Sequence, residues 1–354
     1  MSIRIGNRTL DIPLIQGGMG IGISLGRLAG SVAARGGMGT ISAAGVGFKE
    51  PDFDRNFVGA SIRALKKEIS LAKKISQGCG MIAVNIMTAM NYFEELAIAA
   101  AEAGADAIVS GAGLPKSLPE YIKGTGLKIA PVVSGSRAAS VICRLWDRHY
   151  GTAPDFVVVE GSRAGGHLGF SRDQLEEGSC QTLEEIIPEV KSVIAEYEKK
   201  YGKSIPVFAA GGIRSREEAE ELMQLGADGI QLATAFIATE ECDASREFKE
   251  TLCRAGNEEV AIVTSPVGMP GRAIRTPLIE KVSAGLRVKP EICRNCIKVC
   301  DPGKTPYCIS GALIAACKGD YENGLFFCGD DIDTFDRIRT VDEVIRDMMG
   351  PDAQ

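Results

Sequence analysis

Eight short apolar runs, separated by stretches that read as helices, constrain this chain more than any other feature. They are Pro13–Gln16, Met38–Ser42, Met81–Asn85, Ala107–Ser110, Lys128–Val133, Phe156–Glu160, Pro206–Ala210 and Gly229–Ala233. Short runs of this kind, ending in glycine or a polar residue, are what strands covered on both faces look like. Between them, segments such as Phe93–Ala103 and Arg216–Leu225 read as helices, the second with Ser215 as its N-cap. Gly104-Ala-Asp-Ala-Ile-Val and Gly226-Ala-Asp-Gly-Ile-Gln repeat one arrangement: a glycine where a helix ends, then at once a strand. Eight such units predict an α/β fold, a (β/α)8 TIM-type barrel with its site on the loops that follow the strands. An open doubly wound sheet is the competing architecture.

After Ala238 the pattern changes. The expected division is a barrel over 1–240, a cap or substrate segment over 241–306 inserted after strand eight, and helices over 307–354 that return to close the barrel. Thr264-Ser-Pro-Val-Gly-Met-Pro-Gly-Arg-Ala-Ile reads as irregular, whereas Ile309–Lys318 and Val341–Met349 read as helical.

A formal net charge of −6, without any long basic run, argues against nucleic acid as a partner and for a small-molecule substrate. The opening MSIRIGNRTLDIPL lacks the apolar stretch of a signal peptide, and no apolar run reaches the ~20 residues of a membrane span. A cytoplasmic protein without a membrane partner is expected, and a homodimer stays open.

The strand ends carry the chemistry. They read Gln16-Gly-Gly-Met-Gly, Asn85, Ser110-Gly-Ala-Gly, Glu160-Gly-Ser-Arg-Ala-Gly-Gly-His-Leu-Gly, Ala210-Gly-Gly-Ile and Ala233-Thr-Ala-Phe. Glycines there let the backbone approach a ligand without a Cβ in the way. Barrels often hold a phosphate at the loops after strands seven and eight, and Gly211, Gly212 and Thr234 supply neutral donors at those two places. His167, one of two histidines, lies in the glycine-rich loop after strand six, where an imidazole can exchange a proton or anchor the loop. The other, His149, sits in a polar stretch and is not expected to work on a substrate.

These motifs resemble the nitronate monooxygenase family, formerly the 2-nitropropane dioxygenases, which includes flavin-dependent enoyl-acyl carrier protein reductases. The resemblance rests on Pro13-Leu-Ile-Gln-Gly-Gly-Met-Gly, Val84-Asn-Ile-Met, the Ala164-Gly-Gly-His loop and Ala209-Ala-Gly-Gly-Ile, and it covers about residues 8–275. It implies a TIM-type barrel, non-covalent FMN and a substrate cap. It places Gly17, Gly18 and Met19 along the isoalloxazine, Asn85 at the ring or ribityl region and Glu160 at the ribityl hydroxyls. Gly165 and Gly166 would line the same crevice, with Gly211, Gly212, Ala233 and Thr234 at the phosphate. His167 matches the family's catalytic histidine, as a base or as the group that orients a nitronate. An NAD(P)H-dependent enoyl reductase is the alternative on the same scaffold. Arg163 departs from the acidic or small residue expected before Ala-Gly-Gly-His; it either attracts an anionic substrate or pairs with a carboxylate.

Two further readings are a non-redox phosphate-binding barrel of the IMP dehydrogenase type and a flavin sensor without turnover. The first would need a cysteine nucleophile in the loop near strand six, and 161–171 holds none. Of eleven cysteines, six crowd between Cys293 and Cys328. Cys293-x2-Cys296-x3-Cys300-x7-Cys308 suits zinc or an iron–sulfur cluster, yet matches neither the common ferredoxin run nor two clean Cys-x2-Cys pairs; the same thiols also pack as small apolar groups.

Overall fold

In the computed structural model, which describes residues 2–351, all eight runs are strands: β1 Leu14–Gln16, β2 Met38–Ser42, β3 Met81–Asn85, β4 Ala107–Ser110, β5 Lys128–Val133, β6 Val157–Glu160, β7 Val207–Ala210 and β8 Gly229–Leu232. Each pairs in parallel with the next, and β8 pairs back with β1, so the sheet closes into a barrel and the open-sheet alternative falls. Pro13 and Pro206 lie just outside their strands because neither has an N–H to give. Each still lends its carbonyl, which accepts from Ile230 at 2.9 Å and from Val157 at 2.8 Å.

The Gly-Ala-Asp echo has a mechanical reason. Asp106 and Asp228, each just before a strand, accept an N–H at the start of the strand before: Ile82, its second residue, at 2.8 Å and Val207, its first, at 2.7 Å. Asp155, which no echo marks, does the same for Ile129 at 3.0 Å. These carboxylates satisfy strand-end donors that the ladder leaves over.

The barrel is a packed core, with Ile15, Met38, Met81, Val109, Phe156, Val158 and Phe208 inside it. Its N-terminal mouth is plugged by an antiparallel hairpin, Ile3–Ile5 with Arg8–Leu10, whose Ile3, Ile5 and Leu10 join that core. The alternation Ile3-x-Ile5 before Gly6, which turns at a φ of 60°, is the signal for it.

Outside, helices such as Phe57–Ser76, Ser136–Tyr150 and Arg216–Gln224 cover the strands, with Ser215 accepting from the Glu218 N–H at 3.2 Å as its N-cap. After β8 come a short helix, Thr234–Ile237, and a longer one, Arg246–Arg254. The stretch that reads as irregular is a hairpin, β9 Val260–Thr264 with β10 Pro270–Ile274, and Gly166–His167 adds to β10 as a third strand. Proline at the first residue of β10 and Gly268 in the turn disguise it as a loop. The helix Val341–Met349 packs against Arg216–Gln224, Thr234–Ile237 and the first barrel helix, Gly26–Ala34. No described helix is long and apolar enough to cross a membrane.

Candidate active site

A cleft opens at the C-terminal ends of the strands. Gly17, Gly18 and Met19 after β1, Asn85 at the end of β3, Glu160 at the end of β6 and Gly165, Gly166 and His167 beyond it all line this cleft, with Ala233 and Thr234 after β8. A smaller cavity adjoins it, sharing Glu160, Gly165, Ala233 and Thr234 and adding Gly211 and Gly212. Every residue that the sequence places at an FMN-type site therefore meets at one rim. His149 lies on the surface, in the last turn of Ser136–Tyr150, far from this group.

The glycines are required by close approach. A Cβ on Gly18 would sit 2.2 Å from the Cβ of Asn85, and one on Gly165 would sit 2.4 Å from the Cys328 backbone. Gly211 and Gly212 take φ values of 92° and 81°, consecutive left-handed residues that make the tight turn after β7. Asn85 is fixed by its amide, which donates to the Val109 carbonyl at 3.2 Å. Thr234 accepts from the Gly329 N–H at 2.9 Å, so its own hydroxyl proton is left to donate into the smaller cavity.

His167 is held from behind. Its backbone pairs with Gly271 of β10, and its Nε2 lies 2.8 Å from the Ser265 hydroxyl. That hydroxyl also accepts from the Val267 N–H at 3.2 Å; in the tautomer in which it donates its proton to Nε2, the ring proton sits on Nδ1. The Phe327 ring packs edge-on at 5.1 Å. Burial without a carboxylate partner pushes the imidazole pKa down to about 4, so the ring is neutral at pH 7.

The loop that carries His167 is clamped by Arg272, whose guanidinium donates to the carbonyls of Ser162 at 2.8 Å and Ala164 at 2.5 Å. Neither Arg272 nor Ser265 is marked by anything in the sequence beyond its place near the prolines and glycines of the hairpin. Gln231 on β8 and Phe327 and Cys328 near the end of the chain also line the cleft and were not anticipated. Cys328 is the one cysteine here, and burial pushes its thiol up to about 12, which removes it as a nucleophile of the IMP dehydrogenase kind. Arg163 pairs with Asp330 at 2.5 Å, so of its two readings the carboxylate partner holds. A second pair in the smaller cavity, Arg214 with Asp331 at 2.7 Å, likewise cancels its own charge.

Glu160 is raised by burial to about 8 and has no cation beside it. A folded-state pKa above the unfolded one gives stability that is present below about 4.5 and lost as pH rises through about 8. Glu160→Gln should therefore leave the ligand-free protein nearly unchanged at pH 4 but raise its Tm by more than about 2 °C at pH 8.5. Thermal unfolding at the two pH values checks this.

The cysteines Cys293, Cys296, Cys300 and Cys308 lie apart from the cleft and line a cavity of their own. Among the described residues no three His, Cys, Asp or Glu side chains meet as a site for one metal ion.

A family model described as nitronate monooxygenase matches residues 2–350. A probable nitronate monooxygenase of Staphylococcus saprophyticus is 24% identical over 305 residues, covering 80% of this chain and 81% of its own length. Among solved structures, FabK from Thermotoga maritima is 26% identical, with a TM-score of 0.72 over 96% of this chain and 92% of that one. The nitroalkane oxidase from Streptomyces ansochromogenes, 17% identical, shares the fold with a TM-score of 0.72 over 97% and 96% of the two chains.

Proposed function

The chain belongs to the nitronate monooxygenase family of flavin-dependent oxidoreductases, and on that premise we propose that it holds FMN non-covalently in the rim cleft and oxidises alkyl nitronates beside His167. The observation that carries this reading is the convergence of glycine turns from β1, β6 and β7, and of Thr234 after β8, on two adjoining cavities, with the imidazole in the wall of the larger.

The residues present fit the cofactor. Gly17 and Gly18 leave a flat strip of backbone along one side of the cleft, since any Cβ on Gly18 would collide with Asn85. Glu160 is a carboxyl without a charged partner, suited to accept from the hydroxyls of a ribityl chain. The smaller cavity, between the turn Gly211–Gly212 and the start of Thr234–Ile237, suits a phosphate as such barrel ends do. When bound, FMN supplies the electron-accepting chemistry; the protein supplies position and electrostatics.

The substrate's charge fits the same walls. A nitronate is already an anion, so no C–H proton has to be removed. An imidazole with a pKa near 4 is a poor base at neutral pH, but its N–H is a good donor to an anionic oxygen. When Ser265 donates to Nε2, that donor is the Nδ1–H. Glu160, protonated below about 8, does not repel the anion. Met87, Leu313 and Phe327 form an apolar side of the cleft that keeps water from the reacting atoms.

Anaerobic stopped-flow mixing of the flavin-loaded enzyme with an alkyl nitronate, NADH and NADPH in turn tests the proposal. Bleaching of the flavin by the nitronate, with either nicotinamide at least about 10²-fold slower, is expected. Rapid bleaching by NADH or NADPH, followed by reoxidation with an activated alkene, would instead make the protein an enoyl reductase.

A further inference from the structure

The segment from 284 to 308 contains no helix or strand, only the single bridge of Ile297 with Met90. A structureless stretch well beyond ~12–15 residues inside an ordered domain usually has a function of its own. Apart from its two buried anchors, Ile297 and Tyr307 at 5% and 1% exposed, hydrophobic burial does little to hold it: Leu286, Val288, Ile292 and Val299 are 60%, 38%, 42% and 66% exposed. Backbone clips fix its path instead. Arg287 donates to the carbonyls of Thr305 at 2.9 Å and Pro302 at 2.6 Å, Asn91 donates to the Asn295 carbonyl at 2.6 Å, and the Lys298 N–H donates to Ala89 at 2.9 Å.

What this path accomplishes is to bring four thiols to one place. Asn295, at a φ of 48°, turns the chain between Cys293 and Cys296, and Cys308 caps the helix Ile309–Cys317. All four cysteines, Cys300 included, are free and line one pocket. No three of them meet as a site for one ion. Zinc needs four sulfurs about 2.3 Å from a single point. A four-iron cubane binds one thiolate at each of four separate corners and fills the space between.

We propose that Cys293, Cys296, Cys300 and Cys308 ligate a [4Fe–4S] cluster in this pocket, which also cross-links the stretch on either side of the Ile297 anchor. The location ties it to the candidate active site along two paths. Ile297 and Lys298 are joined to Met90 and Ala89, a few residues past Asn85 and Met87 in the cleft wall. The helix that begins after Cys308 puts Leu313 into the same cleft, five residues or roughly 7.5 Å of helix rise away.

The test is full-length protein made in iron-replete cells and purified without oxygen, then assayed for iron, acid-labile sulfide and zinc. About four irons and about four sulfides per chain are expected, with a paramagnetic signal after reduction by dithionite. The double variant Cys296→Ala, Cys300→Ala should lose most of the iron, while Cys79→Ser, whose thiol is exposed elsewhere, keeps it. One zinc per chain without sulfide would overturn the assignment. So would wild-type protein that stays iron-free after anaerobic reconstitution with ferrous iron and sulfide. These readouts are independent of flavin content and of turnover, so failure here leaves the reading of the FMN cleft untouched.

Discussion

His167→Ala should keep its flavin and lose turnover of an alkyl nitronate by about 10²–10⁴-fold, the range a positioned acid–base or donor group contributes. Retention is expected because the glycine turns and Thr234, not the imidazole, form the cofactor cradle. Two further readouts separate the roles open to the histidine. If the neutral ring acts by donating an N–H, His167→Gln should restore part of the lost rate, since an amide also donates. If it acts by taking a proton, glutamine restores nothing. The pH profile is the second. The pKa is lowered to about 4, so kcat/KM should stay level from pH 8 to 5 as far as this group is concerned; as pH approaches 4 it falls if the ring takes a proton and does not if the ring donates an N–H, which the protonated ring keeps. A limb near the ordinary histidine value would mean that the ring is solvated in solution. Full activity in the alanine variant would reassign His167 to structure.

How far the sequence carried this reading depends on where each signal resides. Strands buried on both faces must be apolar along their length, and so β1 to β8 stand out within a residue of their true ends. The residues at their C-terminal ends were legible for a related reason: in a parallel barrel every strand end faces the same rim, so a list of strand ends is already a list of neighbours. The support of the site was not legible in the same way. Ser265 and Arg272 act on His167 and its loop from 98 and 108 residues or more away in sequence. They do so through a hairpin whose prolines and glycines mask its strands. Gly166–His167 is too short a strand to carry a period, and it exists only because β10 is there to receive it. Phe327 and Cys328 reach the cleft because the chain runs back beside β10, where Cys328 donates its N–H to Arg272 at 3.3 Å. Local pattern fixes which elements form; what leans on the site is decided by tertiary pairing that no local pattern records.

The second large effect is expected at the phosphate end. Gly212 has a φ of 81°, and a Cβ there would lie 2.6 Å from the Cβ of Arg163. In Gly212→Val, a β-branched residue is forced into the left-handed region, which costs on the order of 1–3 kcal/mol unless the turn opens. Opening it widens the gap between the loop after β7 and Thr234. It also disturbs Arg163, whose pairing with Asp330 keeps a carboxylate from facing a phosphate unneutralised. The loss should fall on the phosphate and not on the ring, because Gly17, Gly18 and Asn85 lie at the other end of the cleft. Apoprotein titrated with FMN and with riboflavin separates the two. Wild type should bind FMN at least about 10²-fold more tightly than riboflavin, since two or more charge-assisted donors are each worth ~1.5–3 kcal/mol. Gly212→Val should lose most of that preference by weakening FMN alone, with riboflavin affinity unchanged within about threefold. Equal losses for both ligands would mean that the barrel rim as a whole had given way. Unchanged FMN binding would place the phosphate somewhere other than between these two loops, and the assignment of the flavin's orientation in the cleft would go with it.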